Sequence, residues 1–326
     1  MGEFDLIARY FTRPVRRAAL GVGDDCALLA PAPGMQLAVS SDMLVQGRHF
    51  FADVDPERLG HKALAVNLSD LAACGARPLA FTLALSLPRV DEAWLAGFSR
   101  GLLALADAHS CELVGGDTTQ GPLNICITVF GEVPAGQALL RSGARPGDDI
   151  YVSGTLGDAR LALEALQGHI ALPADVLAAA RLRLEQPTPR VALGLALRGV
   201  ASSALDVSDG LLGDLGHILR ASGTGACIDT FIAIDLIAAS ALTISARGQF
   251  DPELFHQCTL AGGDDYELAF TAPVARRAAV AAAALASSTP VTRIGRIEAE
   301  PGLRLVDAQG RPVVQRYASF DHFAAG

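Results

Sequence analysis

The chain has 326 residues, 51% of them hydrophobic and 19% charged; this composition excludes a disordered or fibrous chain, and roughly 150 residues per domain makes about two domains. Lys and Arg number 26 against 35 Asp and Glu, a net charge of −9, and with no basic run the chain has no surface suited to non-specific nucleic-acid binding. The six cysteines, Cys26, Cys74, Cys111, Cys126, Cys227 and Cys258, form no C-x-x-C pair and no zinc spacing, so they read as buried, reduced thiols.

A short helix is expected over 4–12. Gly21-Val22-Gly23-Asp24-Asp25 follows as a glycine-hinged acidic loop. Leu37 to Ser41 reads as a strand ending at Asp42. Asp55-Pro56 is a helix start, with Pro at the first helical position, and that helix runs to about Cys74 before Gly75. A strand over 80–87 precedes an amphipathic helix over 91–109, in which Trp94, Phe98, Leu102 and Leu105 keep a helical period. Glu112-Leu113-Val114 reads as a short strand feeding the turn Gly115-Gly116-Asp117, and 123–133 alternates as a strand.

Pro134-Ala135-Gly136 and Arg145-Pro146-Gly147-Asp148 bracket a domain boundary, placed so that the halves are 1–137 and 138–326. The second half begins with a strand over 149–153. Helices are expected over 157–167, 173–185, 188–198 and 208–221. A strand at 225–230 and another at 266–271 precede a helix over 273–287, and strands at 292–298 and 303–306 end the series. The mixture is α+β in two halves, not a simple doubly wound sheet. High Ala and Leu content with 6% aromatics points to helices packed through small residues. The acidic start and the absence of a long apolar stretch lead to the expectation of a soluble, cytoplasmic protein.

No Walker A sequence, no G-x-S-x-G elbow and no protein-kinase signature set occurs. What recurs is Asp beside Gly or Ser where elements end or begin. The instances are Asp24-Asp25, Ser40-Ser41-Asp42, Asn67-Leu68-Ser69-Asp70, Gly116-Asp117, Asp206-Val207-Ser208-Asp209-Gly210 and Gly263-Asp264-Asp265. Carboxylate and hydroxyl oxygens are hard ligands that suit Mg²⁺ together with substrate phosphates. Each motif alone also reads as ordinary capping and turn chemistry. Asp70 differs, because it shares a helix face with Asn67 three residues earlier. If several of these acids converge, like-charge repulsion demands a metal. Arg141, in a Gly-flanked turn, is a candidate bidentate phosphate contact or a solvated surface cation. His49 lies in a loop, and Phe320 lies in a tail with Asp321, His322 and Phe323.

Taken together and in order, these motifs resemble the thiamine-monophosphate kinase family. The resemblance runs through Gly2-Glu3-Phe4, Gly21–Ala27, Lys62–Ala73, Gly115–Thr119, Arg141–Ala144, Asp206–Leu211, Asp265–Leu268 and Asp321–Phe323. It implies an aminoimidazole-ribonucleotide-synthetase-like fold. The N-terminal domain binds ATP and Mg²⁺ and forms a homodimer through its sheet, and a C-terminal α/β domain completes the substrate site. The implied reaction passes the ATP γ-phosphoryl group to the phosphate of thiamine monophosphate, with several Mg²⁺ ions, to give thiamine diphosphate. By position, the resemblance implies Asp25, Ser40, Ser41, Asp42, Asp70, Asp117, Asp206 and Asp209 as metal ligands. Of these, Asp42, Asp70, Asp117 and Asp209 carry the catalysis. It implies Gly116, Asp117, Arg141 and Ser208 as nucleotide contacts, and His49, Asp264 and Phe320 as contacts to thiamine monophosphate.

The chain departs from the family pattern in three places. Ser41 replaces a Thr and keeps its hydroxyl, Met43 replaces a Thr and loses one, and Asp264 is one methylene shorter than the usual Glu. Two rivals stand beside this reading. One is another ATP-using enzyme of the same fold, such as a selenophosphate synthetase; that enzyme needs a reactive Cys beside a Lys near the N-terminus, whereas the first Cys here is Cys26, with no neighbouring Lys. The other is a non-catalytic nucleotide- or metal-binding module.

Overall fold

The structure is a computed structural model and describes residues 2–23, 25–234, 252–314 and 317. The chain divides into two compact units, one of Met1–Leu71 and Ala76–Ala138, the other of Ala72–Gly75 and Leu139–Gly326.

The first unit holds α1 (Glu3–Tyr10), β1 (Met35–Val45), α2 (Pro56–Ala73), β2 (Arg77–Leu87), α3 (Glu92–Ala108), β3 (Glu112–Gln120) and β4 (Asn124–Pro134). Its sheet has the order β1-β4-β2-β3. β4 pairs antiparallel with both β1 and β2, whereas β2 and β3 run parallel through the α3 crossover. A parallel pair needs such a crossover because a tight turn cannot reverse the chain twice. Both long helices start where the sequence caps them. Asp55 Oδ1 accepts from the Glu57 and Arg58 N–H groups, and Asp91 Oδ1 from those of Ala93 and Trp94. Leu64, Leu68 and Leu71 of α2 and Phe98 and Leu102 of α3 are buried, as are Phe81 and Leu85 of β2 and Ile125 of β4. The helices cross at glycine. A Cβ on Gly101 would lie 1.8 Å from the Glu57 carbonyl oxygen, and one on Gly60 2.0 Å from that of Phe98. Only residues without side chains admit so close an approach.

The second unit carries β5 (Asp149–Ser153), α4 (Asp158–Leu166), α5 (Ala174–Glu185), α6 (Val191–Ala196), β6 (Ser203–Val207), α7 (Leu211–Ser222), β7 (Gly225–Asp229) and α8 (Thr230–Ile234). It continues with α9 (Pro252–Ala261), β8 (Glu267–Ala272), α10 (Arg277–Ala286), β9 (Val291–Glu298), β10 (Gly302–Val306) and β11 (Pro312–Val313). The sheet order is β11-β10-β7-β9-β5-β8-β6. Among the described residues, only the β7–β10 pair of this sheet is parallel. Ile150, Val152, Leu205, Val207, Leu211, Leu215, Ile218, Ile228 and Ile294 form one buried cluster. The whole is an α+β protein with mixed sheets, as the sequence led us to expect.

Several local expectations change. β1 does not end at Asp42 but continues to Val45, and α9 over Pro252–Ala261 was not expected. Gly115-Gly116-Asp117 is not a turn after a strand but lies inside β3, where the pairing with β2 shifts between Phe81 and Thr82. β6 was not expected, because all five of its residues are buried and it shows no alternation to read. The cysteines are only partly interior: Cys111 and Cys258 are buried, Cys26 is exposed, and all six are free thiols. Among the described residues, no helix is long and apolar enough to cross a membrane.

Candidate functional site

In the first unit, β1 and α2 bring together residues 30 positions apart. Strand alternation puts Ser40 and Asp42 on one face of β1 and Ser41 on the other. Ser40 Oγ donates to Asp70 Oδ2 at 2.5 Å, and the Asp42 N–H donates to Asn67 Oδ1 at 3.1 Å. Buried Asn67 is itself oriented by its Nδ2 group, which donates to the Ala63 carbonyl one helical turn earlier at 3.0 Å. The shared helix face of Asn67 and Asp70 therefore meets the Ser40–Asp42 face of the strand. The Ser41 hydroxyl contacts the β4 residues instead, within 3.2 Å of the Ile127 carbonyl and 3.0 Å of Thr128 Oγ1.

His49 follows β1 in a turn closed by the Gln46–Phe50 bridge. Its Nδ1 accepts from the Val45 N–H at 2.9 Å. In its neutral form the ring therefore carries its proton on Nε2. Lys62, buried on α2, reaches the His49 carbonyl at 3.4 Å.

A cavity of about 680 Å³ opens in the same unit. Its polar lining includes Asp25, Gly116, Asp117 and Thr118, and its apolar wall includes Phe4 and Ile7 of α1. Gly116 has φ +146°, and a Cβ there would lie 1.9 Å from the Leu83 carbonyl oxygen. Any other residue would push β3 off β2, so this position keeps the backbone bare where it borders the cavity.

In the second unit Asp206 lies near the end of β6, and the turn that follows carries Ser208 and Asp209. One carboxylate oxygen, Oδ2 of Asp214, accepts from the N–H groups of Ser208, Asp209 and Gly210 at 3.1, 3.0 and 3.1 Å. Burial pushes the Asp214 carboxyl up to about 6, helped by the neighbouring Asp209 charge and opposed by those three donors. Asp264 joins the same turn, its N–H donating to the Ser208 carbonyl at 2.8 Å. Arg141 lies in a turn held by Ser222 Oγ, which accepts from the Gly143 and Ala144 N–H groups. Burial, then the guanidiniums of Arg141 and Arg220, hold His217 below the ordinary imidazole value, with Asp209 opposing. Arg141 and Asp209 are thus each within electrostatic reach of His217.

The structure therefore gathers Ser40, Asp42 and Asp70 in one group and Asp25, Gly116 and Asp117 along one cavity. A third group, Ser208, Asp209 and Asp264, forms around one turn, with Asp206 just before it at the end of β6. Phe320 lies outside the described residues. Among the described residues, no three His, Cys, Asp or Glu side chains stand close enough to hold one metal ion between them. Bare carboxylates repel one another, and Mg²⁺ takes only one or two of them alongside phosphate and water. Sequence reasoning missed Asp214 and His217. Asp214 left a signal, an acid in the first turn of a helix that starts at Gly, but without the fold it reads as an ordinary helix-dipole partner.

Two family models match the chain, "AIR synthase related protein, N-terminal domain" over residues 23–133 and its C-terminal counterpart over 145–308. The thiamine-monophosphate kinase of Escherichia coli strain K12 is 48% identical over 332 residues, covering 99% of this chain and 98% of that protein. The Salmonella typhimurium enzyme of the same name is 47% identical, with the same coverage. Among solved structures, thiamine-monophosphate kinase from Stenotrophomonas maltophilia K279a superposes with a TM-score of 0.82 at 47% identity, covering 93% of this chain and 94% of that one. AaThiL complexed with AMPPCP and TMP superposes with a TM-score of 0.77 at 29% identity, covering 90% and 89%.

Proposed function

Because the chain belongs to the thiamine-monophosphate kinase family, we propose that it transfers the γ-phosphoryl group of ATP directly to the phosphate of thiamine monophosphate. The products are thiamine diphosphate and ADP. The observation that carries this reading is the match to enzymes of that name over nearly the whole of both chains.

The acceptor oxygen is already anionic at neutral pH, so no strong general base is needed. The difficulty is electrostatic, since donor and acceptor are both phosphates in a chain of net charge −9. The donor set fits Mg²⁺. Ser40 and Asp70 share a hydrogen bond, Asp42 is pinned beside Asn67, and Asp25 and Asp117 border one cavity. All are hard oxygen donors. Several Mg²⁺ ions, when bound, neutralise the two phosphates and fix them for in-line displacement. In the first unit Asp25, Ser40, Asp42, Asp70 and Asp117 are the proposed ligands. Ser41 would join them through its main chain, because its hydroxyl is on the opposite face. Asp206 and Asp209 are the carboxylates that the second unit offers. Gly116 lets the backbone approach the nucleotide, and the Arg141 guanidinium suits a bidentate phosphate contact. His49, through Nε2, Asp264 and Phe320 are the proposed contacts to thiamine monophosphate. Positioning, rather than covalent chemistry, supplies the rate.

The ATP-binding domain is placed at 1–137 and the C-terminal domain at 138–326, in a cytoplasmic homodimer. Leu37, Val39 and Met43 are 42%, 56% and 51% exposed on one face of β1. An apolar strand face of this kind suits burial against a second copy.

The test is to incubate the purified protein with ATP, Mg²⁺ and thiamine monophosphate and follow thiamine diphosphate by chromatography, with a metal-free control. Metal-dependent product supports the reading. Folded, ATP-binding protein that makes none overturns it, and the roles of His49, Asp264 and Phe320 fall first.

A further inference from the structure

The turn at 208–210, directly after β6, is held from two sides. On one side, a single oxygen of Asp214 takes the three successive N–H groups of Ser208, Asp209 and Gly210. Asp214 is buried, with 6% of its surface exposed. It lies in the first turn of α7, whose N-cap is Gly210 with no side-chain cap of its own. The helix is therefore capped from within, by a carboxylate that folds back over the turn before it. On the other side, the carbonyls of Val207 and Ser208 accept from the N–H groups of Tyr266 and Asp264 at 2.9 and 2.8 Å.

The second clamp is itself a constrained segment. Asp264 has φ +67° and Tyr266 φ +51°, left-handed conformations that residues with side chains seldom adopt. Between them, both carboxylate oxygens of buried Asp265 accept from the Gly157 N–H at 3.0 and 2.9 Å. Asp264 thus takes its place from the Ser208 carbonyl, and Ser208 takes its own from Asp214. If the Asp214 carboxylate is removed, three adjacent N–H groups lose one shared acceptor, and the peptide units that carry the Ser208 and Asp209 N–H groups are still held at their carbonyls by Tyr266 and Asp264 but are no longer clamped from both sides.

We propose that Asp214 is a positioning residue that sets the 208–210 turn, so that Ser208 meets the nucleotide, Asp209 meets the metal and Asp264 is presented beside them. This rests on the kinase reading above. Asp214 is assigned a positioning role because its Oδ2 serves three main-chain donors of the turn.

The test compares Asp214→Ala and Asp214→Asn in the full chain. In Asp214→Ala, kcat/KM for ATP should fall about 100-fold, the scale of a small displacement in a positioned site. Amide hydrogen exchange at Ser208, Asp209 and Gly210 should accelerate about 100-fold while the strands of the same unit stay protected. Asp214→Asn keeps a carbonyl acceptor for the three donors, so its exchange pattern should stay protected and its turnover within about 5-fold of the parent. That rescue separates positioning from charge. Parental kinetics in Asp214→Ala with deprotected amides would overturn the proposal. So would an Asp214→Asn protein slowed about 100-fold relative to the parent while its amides remain protected. If Asp214→Ala does not fold, Asp214→Ser replaces it, and if neither folds the two Asp214→Asn outcomes decide. Exchange and binding of a non-hydrolysable ATP analogue are measured without thiamine monophosphate, so a wrong acceptor assignment fails in the parent's product assay and leaves these readouts standing.

Discussion

Asp70 lies on α2 with one carboxylate oxygen bound to the Ser40 hydroxyl. A serine hydroxyl that donates to a carboxylate leaves its lone pairs directed outward, so the pair offers oxygen donors from two elements at one point. Asp70→Asn keeps an acceptor for Ser40 but removes the charge that an Mg²⁺ ion needs. We expect kcat to fall at least about 100-fold, on the scale of losing one electrostatic stabiliser of the transition state, with Tm within a few degrees of the parent. Near-normal turnover would remove Asp70 from the metal set. This residue was legible in the chain, because Asn67 and Asp70 are three apart on a helix whose start is written in Asp55-Pro56. Asp214 was not, because its role depends on three N–H groups that point inward only once β6 and α7 have folded around them.

At the scale of elements, the α2–α3 crossing sets where Asn67 and Asp70 stand. Gly101 and Gly60 bring each helix against the other's carbonyls. Gly101→Ala would insert a methyl group 1.8 Å from the Glu57 carbonyl oxygen, a clash with main chain rather than with a flexible side chain. The helices must separate, and overpacking of this kind costs about 3 kcal/mol. Thermal unfolding should show a Tm lowered by several degrees, and activity should fall with it because α2 carries Asp70. An unchanged Tm would show that the crossing relaxes without loss. The small-residue packing was expected from composition, but which glycines make the contact was not. That depends on the rotation of each helix about its axis, which the period leaves loose by several residues. β3 makes the same point. Gly115-Gly116-Asp117 has the composition of a turn, yet the ladder with β2 carries it on as a strand, because paired backbone groups outweigh local turn preference.

At the scale of the whole molecule, the exposed apolar face of β1 calls for a partner. Leu37, Val39 and Met43 would be a poor choice for a permanently solvated face, where polar residues are the rule in a sheet covered on one side. If the proposed homodimer forms through this face, Val39→Lys should leave a monomer in sedimentation equilibrium, because a lysine there would be buried against a second copy without a counter-charge. A dimer that persists in this variant places the interface elsewhere.

The chain by itself determined the kind of molecule this is. Its pattern of elements made a two-part α+β protein, its capping residues set the starts of α2 and α3, and its ordered acidic motifs carried the family resemblance. These properties are local, arising from capping, periodicity and the chemistry of single side chains, and a sequence displays them directly. The tertiary structure alone decided which acids share a site. Ser40 meets Asp70, Asp25 borders the same cavity as Asp117, and Ser208 lies against Asp264, across separations that no periodicity spans. It also decided that Ser41 turns its hydroxyl away from Asp42, and that Asp214 serves main-chain donors rather than solvent. Those outcomes depend on strand register, helix rotation and burial, and each is fixed only when distant segments pack against one another.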